Sequence, residues 1–208
     1  MGLKRLLVFL IVIFTALLIL NSVFSVAENK LVLSAKKSRF FFELANGLLK
    51  KGSSDGAINY FKKSLELEPD FAPAFHNLAV AYYSKSDNAN AINFLEKAID
   101  ARKDYSKAHY NIALLYREMH DLNKAIEHLS LAAELEPKNA NANFDLGVLY
   151  VERFRLKESL GQIEVGDLSD LYAAKVQYLK AFSLNPKLEA AKSNAEILEN
   201  VIGYYWGK

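Results

Sequence analysis

The chain has 208 residues, with 26 basic and 24 acidic side chains, four histidines, no cysteine and 51% hydrophobic content. That length supports one core large enough to fold without staples, and the missing cysteine excludes disulfide scaffolds, thiol catalysis and cysteine-ligated zinc. Lys4 and Arg5 are the only charges before Glu28, so the remainder is electrically neutral and has no basic field to hold phosphates, which argues against nucleic acid as a partner.

The first element is apolar. Lys4 and Arg5 precede Leu6 to Leu20, and the stretch ends in the small-x-small triplet Ser25-Val26-Ala27. A basic start, an apolar middle and such an ending read as a secretory signal cleaved after Ala27. The alternative is a retained anchor, because Leu6 to Ala27 is uncharged and as a helix would reach about 33 Å. Either way Lys4 and Arg5 stay in the cytoplasm and everything after Glu28 crosses over. The product is then secreted, periplasmic, or held to the membrane through residues 6–27, and residues 28–37 are expected to be a linker.

From there a period of 34 residues organises the chain. Stretches starting at Phe42, His76, Tyr110 and Phe144 align, with Ala45, Ala79, Ala113 and Gly147 in register as small residues. Leu44, Leu78, Ile112 and Leu146 precede them, and Leu48, Tyr82, Tyr116 and Tyr150 follow three residues later. A second series matches Ala57, Ala91 and Ala125, then Phe61, Leu95 and Leu129, then Ser64, Ala98 and Ala132. Both halves have helical spacing and are separated by turn signals such as Gly52-Ser53-Ser54-Asp55-Gly56, so each unit is a helical hairpin. Small residues let the two helices approach closely, and Pro69, Pro137 and Pro186 end the second helix.

The last copy of the second series is displaced to Ala174, Tyr178 and Ala181, 15 residues late. The extra stretch follows Arg153 and contains Leu156, Leu160, Gly161, Ile163, Val165, Gly166 and Leu168. It reads as lengthened helices with a projecting hairpin tip, with residues near 157–168 at its centre. Beyond Pro186, Leu188 to Val201 reads as a capping helix, and Tyr204, Tyr205 and Trp206 form an aromatic tail within 187–208.

This small–large–small series with its prolines resembles the tetratricopeptide repeat family over roughly residues 38–186. The units are 38–71, 72–105, 106–139 and 140–186, the last carrying the 15-residue insertion. Lys103 replaces one proline and Ser64 one small apolar residue. Phe41, Phe75, His109 and Asn143 stand where the family often has tryptophan. The resemblance implies an all-α fold, a right-handed α-solenoid of helix-turn-helix repeats preceded by the apolar segment. It also implies a concave groove lined by the first helices, in which a peptide or protein segment binds.

Carried onto this chain, the groove wall consists of Arg39, Phe42, Glu43, Asn46 and Leu49 in the first unit and His76, Asn77, Val80 and Tyr83 in the second. The third unit adds Lys107, Tyr110, Asn111, Leu114 and Arg117, and the fourth Phe144, Asp145, Val148 and Val151. Asn77 and Asn111 occupy equivalent places, between Glu43 and Asp145. Such a column resembles the family's asparagine ladder, whose amides bond a peptide backbone without reading its sequence. The family's carboxylate clamp is matched only at Asn46, Asn77 and Lys107. Phe42 and Asn111 replace its other two cations, which removes most of the charge-assisted grip. Phe42, Tyr83, Tyr110 and Phe144 are candidate aromatic anchors.

No ligand spacing joins His76, His109, His120 and His128, and no phosphate loop, nucleophile elbow or dinucleotide fingerprint is present. His109, in a family aromatic position, is expected in the core. The expectation is therefore a non-catalytic interaction module without cofactor or metal. The competing reading is a structural, self-associating homo-oligomer that uses the insertion or the C-terminal aromatics.

Overall fold

The computed structural model describes residues 2–162 and 167–206, apart from the side chains of residues 3–13 and Trp206. Ile163, Val165 and Gly166, expected at the tip of the insertion, lie outside the described residues. The helices run in the order α1 (Gly2–Lys50), α2 (Ser54–Leu67), α3 (Ala72–Tyr83), α4 (Asn88–Ala101), α5 (Ser106–Glu118), α6 (Leu122–Leu135), α7 (Ala140–Ser159), α8 (Ser169–Leu184) and α9 (Glu189–Trp206). Among the described residues there is no strand. Each odd helix packs on the next even one, and each pair on the pair that follows. The architecture is an all-α solenoid.

Residues 28–37, expected to link, are helical, so α1 passes from the apolar segment into the first hairpin without a break. The reason is local: between Gly2 and Gly47 there is neither glycine nor proline, and nothing else in that stretch stops a helix. The side chains of residues 14–33 stand clear of the solenoid, with Phe24 69% and Leu31 72% exposed. Docking begins at Ser34, whose hydroxyl donates to the Leu67 carbonyl at 3.1 Å. One turn later Ser38 and Ser64 each donate to the other's backbone carbonyl, at 3.0 and 2.9 Å. This exchange explains why serine replaces a small apolar residue at position 64: both hydroxyls are buried, and each is satisfied.

The small residues mark the helix crossings. Ala45, Ala57, Ala91, Ala113, Ala125 and Ala174 are wholly buried, and Phe61, Leu95, Leu129 and Tyr178 fill the space beside them. At Gly147 the approach is closest, since a Cβ there would lie 2.8 Å from the Tyr178 ring.

The first helix of each hairpin ends in the same way. Gly52, Ser86 and His120, 34 residues apart, and the displaced Gly161 have φ of 78°, 61°, 61° and 65°, the left-handed conformation that ends a helix. In the second unit Ser86 N–H donates to the Tyr83 carbonyl and Asp87 N–H to the Tyr82 carbonyl, and the third unit repeats the pattern at His120 and Asp121. Asp87 and Asp121 then cap the following helices by accepting from Asn90 N–H and Lys124 N–H.

A second regularity lies 19 residues along. Phe41 stacks on Tyr60, Phe75 on Phe94, and His109 lies against His128, with ring centroids 5.9, 6.4 and 5.4 Å apart. In the fourth unit the equivalent positions are Asn143 and, allowing for the insertion, Gln177. Both amides keep a buried oxygen with no hydrogen-bond partner.

The insertion lengthens α7 to 20 residues, against 12 in α3 and 13 in α5. Its added turns are clamped to the start of α8 through Asp170, whose side chain is 4% exposed. Arg153 donates to Asp170 from Nε at 3.2 Å and from Nη2 at 2.5 Å, and Lys157 donates from Nζ at 2.9 Å. Burial pushes the Asp170 carboxyl up, but the bonds and charges of Arg153 and Lys157 overcome this and hold it below the usual range. α9 takes in the aromatic run. Tyr205 meets Phe154 edge-on at 5.9 Å and donates to Glu158, while Tyr204 is exposed.

Candidate functional site: the face of the first helices

The residues predicted to line the groove are all half-buried or exposed, and none belongs to the closed core. Arg39, Glu43, Tyr83 and Lys107 are exposed; the other fourteen are half-buried. Their spacing places them on the face of α1, α3, α5 and α7 that the second helices leave uncovered.

The asparagine column is joined through a histidine. Asn111 Nδ2 lies 2.8 Å from His76 Nε2, His76 Nδ1 lies 2.9 Å from Asn77 Oδ1, and Asn77 Nδ2 donates to Asn46 Oδ1 at 2.7 Å. The only consistent assignment puts the His76 proton on Nδ1, so the bonds run in one direction from Asn111 to Asn46. Burial, with a smaller push from the Lys107 charge, outweighs the Asn77 bond and holds His76 below its ordinary pKa, which favours this neutral ring. Asn77 and Asn111 each keep one N–H beyond these bonds, and Asn111 keeps its carbonyl oxygen. These are the valences a peptide backbone needs.

Further ties cross from one first helix to the next at a spacing of 35 residues. Tyr83 donates to Glu118, Tyr110 to Asp145, and Arg117 pairs with Glu152 through Nε at 2.9 Å and through Nη2. Burial first, then the bond to Asp145, raises the Tyr110 pKa strongly. These side chains stiffen the wall as well as lining it. Phe42 packs on Phe71 and Phe61, with centroids 5.0 and 5.8 Å away, and Phe144 on Tyr178 at 5.4 Å. Val148 joins the same cluster as Phe144. The aromatic most open at this face is Tyr83, 44% exposed.

Besides one of about 590 Å³ lined by Leu114, Arg117 and Glu152 among others, three hollows open along the face. A cavity of about 490 Å³ includes Phe42, His76, Asn77 and Lys107, and one of about 360 Å³ includes His76, Lys107, Tyr110 and Asn111. A third of about 260 Å³ lies between α3, α4 and α5, lined by Val80, Tyr83, Asn111 and Leu114 among others. Thus His76, Asn77, Lys107, Tyr110 and Asn111 come together from two units around adjoining cavities.

The structure also joins two histidines that sequence spacing left apart. His109 Nδ1 and His128 Nδ1 are 3.2 Å apart, so one ring donates to the other. His109 is 8% exposed; burial, then the nearby His128 charge, keep its pKa low. The signal was present in the 19-residue spacing that also pairs Phe41 with Tyr60. Among the described residues no three His, Asp or Glu side chains are arranged to hold a metal.

Helical hairpins at a fixed interval, small residues at every crossing and a face of outward amides define a helical-repeat scaffold. Family models of the tetratricopeptide repeat match residues 42–106 and 106–139. Over residues 42–139 the chain is built of tetratricopeptide repeats, a class of protein–protein interaction modules. No curated protein matches it.

Among solved structures it is similar to the MamA protein, with 21% identity over 83% of this chain and 89% of that one, and a TM-score of 0.62. It is similar to pilF of Pseudomonas aeruginosa, with 19% identity over 79% and 68% and a TM-score of 0.64. It is also similar to the first tetratricopeptide domain of Spaghetti (RPAP3) bound to the HSP90 peptide SRMEEVD, with 25% identity over 55% and 91% and a TM-score of 0.53.

Proposed function

We propose that this protein is a non-catalytic adaptor, exported or tethered by its N-terminal segment, that binds an extended polypeptide segment along the first-helix face. The observation that carries this reading is the Asn46–Asn77–His76–Asn111 chain. It holds two amides in fixed orientation beside adjoining hollows, with donors and an acceptor left over for a partner's backbone. Peptide binding by the similar Spaghetti (RPAP3) domain supports the mode. The terminal-carboxylate grip is a poor fit here, because Phe42 and Asn111 take the places of two cations.

The test is a pull-down from the source cell envelope with the wild-type chain and with Asn77→Ala/Asn111→Ala. A partner recovered by the first and lost by the second, at unchanged helicity, supports the reading; equal recovery refutes it. Export is supported by the apolar, unburied stretch of α1 and by the Ser25-Val26-Ala27 ending. Sequencing the N-terminus of the native protein distinguishes a cleaved chain from a tethered one.

One observation favours self-association as a second reading. On the outer face of α8, Tyr172, Val176 and Leu179 are 42%, 58% and 47% exposed. The equivalent places hold Asp55, Asn59 and Lys62 in the first unit, Ala89, Asn93 and Glu96 in the second, and Asn123, Glu127 and Ser130 in the third. Val176→Glu with Leu179→Lys should then convert an oligomer to a monomer in light scattering. A wild-type chain already monomeric at high concentration overturns it.

A further inference from the structure

The cavity between α3, α4 and α5 owes its shape to residues that vary from repeat to repeat. Its floor is Ala79, Ala91, Leu95 and Leu115; its mouth is Val80, Tyr83, Asn111, Leu114 and Glu118. Shifted back by 34 residues, the place of Leu95 is taken by Phe61, whose ring is wholly buried and fills the space. Shifted forward, the place of Val80 is taken by the larger Leu114, and that of Tyr83 by Arg117, bound to Glu152. The second interval has neither the bulk of Phe61 nor that of Leu114, and a mostly apolar hollow of about 260 Å³ remains, whereas the hollow of about 590 Å³ at the next interval is ringed by Arg117, Glu118, Glu152 and Arg155.

That volume lies below the roughly 300 Å³ at which small-molecule sites begin and matches a single large side chain. The lining is mostly apolar, so the occupant is apolar. At the mouth stand two polar groups of different kind. Asn111 offers its free amide valences to the backbone carrying the inserted side chain. The Glu118 carboxylate is exposed and accepts from the Tyr83 hydroxyl. Among the described residues it has no cation in an ion pair, so it leaves a negative charge for the segment to meet.

We infer that this cavity is a specificity pocket, taking one large aliphatic or aromatic side chain from a polypeptide segment that carries a lysine or arginine within a residue or two of it. The inference rests on the groove reading above and adds a sequence preference to it. The amides hold any backbone, whereas the pocket and Glu118 choose among side chains.

The experiment is selection of a phage-displayed random peptide library on the full chain in lipid nanodiscs, with empty nanodiscs for counter-selection. Enriched peptides should share a Leu, Met, Phe or Trp beside a basic residue. Leu95→Phe copies the first unit and fills the floor; Val80→Leu copies the third and narrows the mouth. Each should weaken those peptides by about tenfold or more, the scale of losing a buried anchor, while the melting temperature stays within about 3 °C. Glu118→Gln should relax the basic preference and leave the apolar one.

Peptides lost by Asn77→Ala/Asn111→Ala but bound equally by Leu95→Phe and Val80→Leu overturn the pocket and leave the groove reading standing. A library that yields no specific peptide overturns both.

Discussion

Alanine at Gly147 and alanine at Gly47 should move stability in opposite directions, although both glycines are helical. In each case alanine favours the helix by about 1 kcal/mol. At Gly47 a Cβ meets nothing within 4 Å, so that gain is kept whole. At Gly147 the same atom would lie 2.8 Å from two carbons of the Tyr178 ring. Ordinary carbon contacts are about 3.5–4.0 Å, so ring or helix must retreat by more than half an ångström. Tyr178 is only 3% exposed, packed with Phe144 and the α9 residues around it, and has nowhere to go. Overpacking of this kind costs about 1–3 kcal/mol, which exceeds the helical gain and leaves a net loss of roughly 1 kcal/mol. Thermal unfolding followed by far-ultraviolet circular dichroism should show Gly147→Ala lower by about 2–4 °C and Gly47→Ala higher by a similar amount. If Gly147→Ala melts above the wild type, the close helix crossing is not what glycine serves there.

Three further outcomes follow from the geometry. Asp170→Asn leaves Arg153 and Lys157 without their shared carboxylate; because those partners are 24% and 35% exposed, the cost should fall below that of a fully buried pair, at about 2 kcal/mol, read by urea denaturation. Burial first holds His76, His109 and His128 below the ordinary value of 6.5, so the unfolded chain binds more protons and stability present above 6.5 is lost as pH falls. Melting should therefore drop from about pH 7.5 to about pH 5.5, and His109→Phe, the residue of the two preceding units, should shrink that drop. Replacing Asn143 by Phe and Gln177 by Tyr removes two unsatisfied buried oxygens and restores the pairing of the first unit; melting should rise, corresponding to about 1–2 kcal/mol.

The hairpins were legible because each depends on one residue type at one place. An alanine or glycine at a crossing is required by distance, and it repeats wherever the crossing does. The same logic missed the continuity of α1: composition suggested a linker after Ala27, yet no breaker stands between Gly2 and Gly47 to produce one. The amide column was visible as an alignment of Asn77 with Asn111. Its bonding was not, because adjacent first helices are offset so that residue i meets i+35, and His76, one position off the column, becomes the bridge. The hollow beside it depends on Leu95 being smaller than Phe61 and Val80 smaller than Leu114, differences that have no meaning until the helices are packed. His109 was expected in the core for its place in the family pattern, but its partner His128 required the hairpin to close.

The unbroken α1 has a mechanical consequence. A swivelling leash would let the scaffold sample every bearing above a bilayer, whereas a stiff spar shared by both parts transmits rotation. With the apolar portion retained in a membrane, whatever sets its roll about its own axis, a neighbouring span or a ring at the headgroup level, also aims the first-helix face of the solenoid. A single added residue near position 30 would turn that face by about 100° without altering one of its contacts.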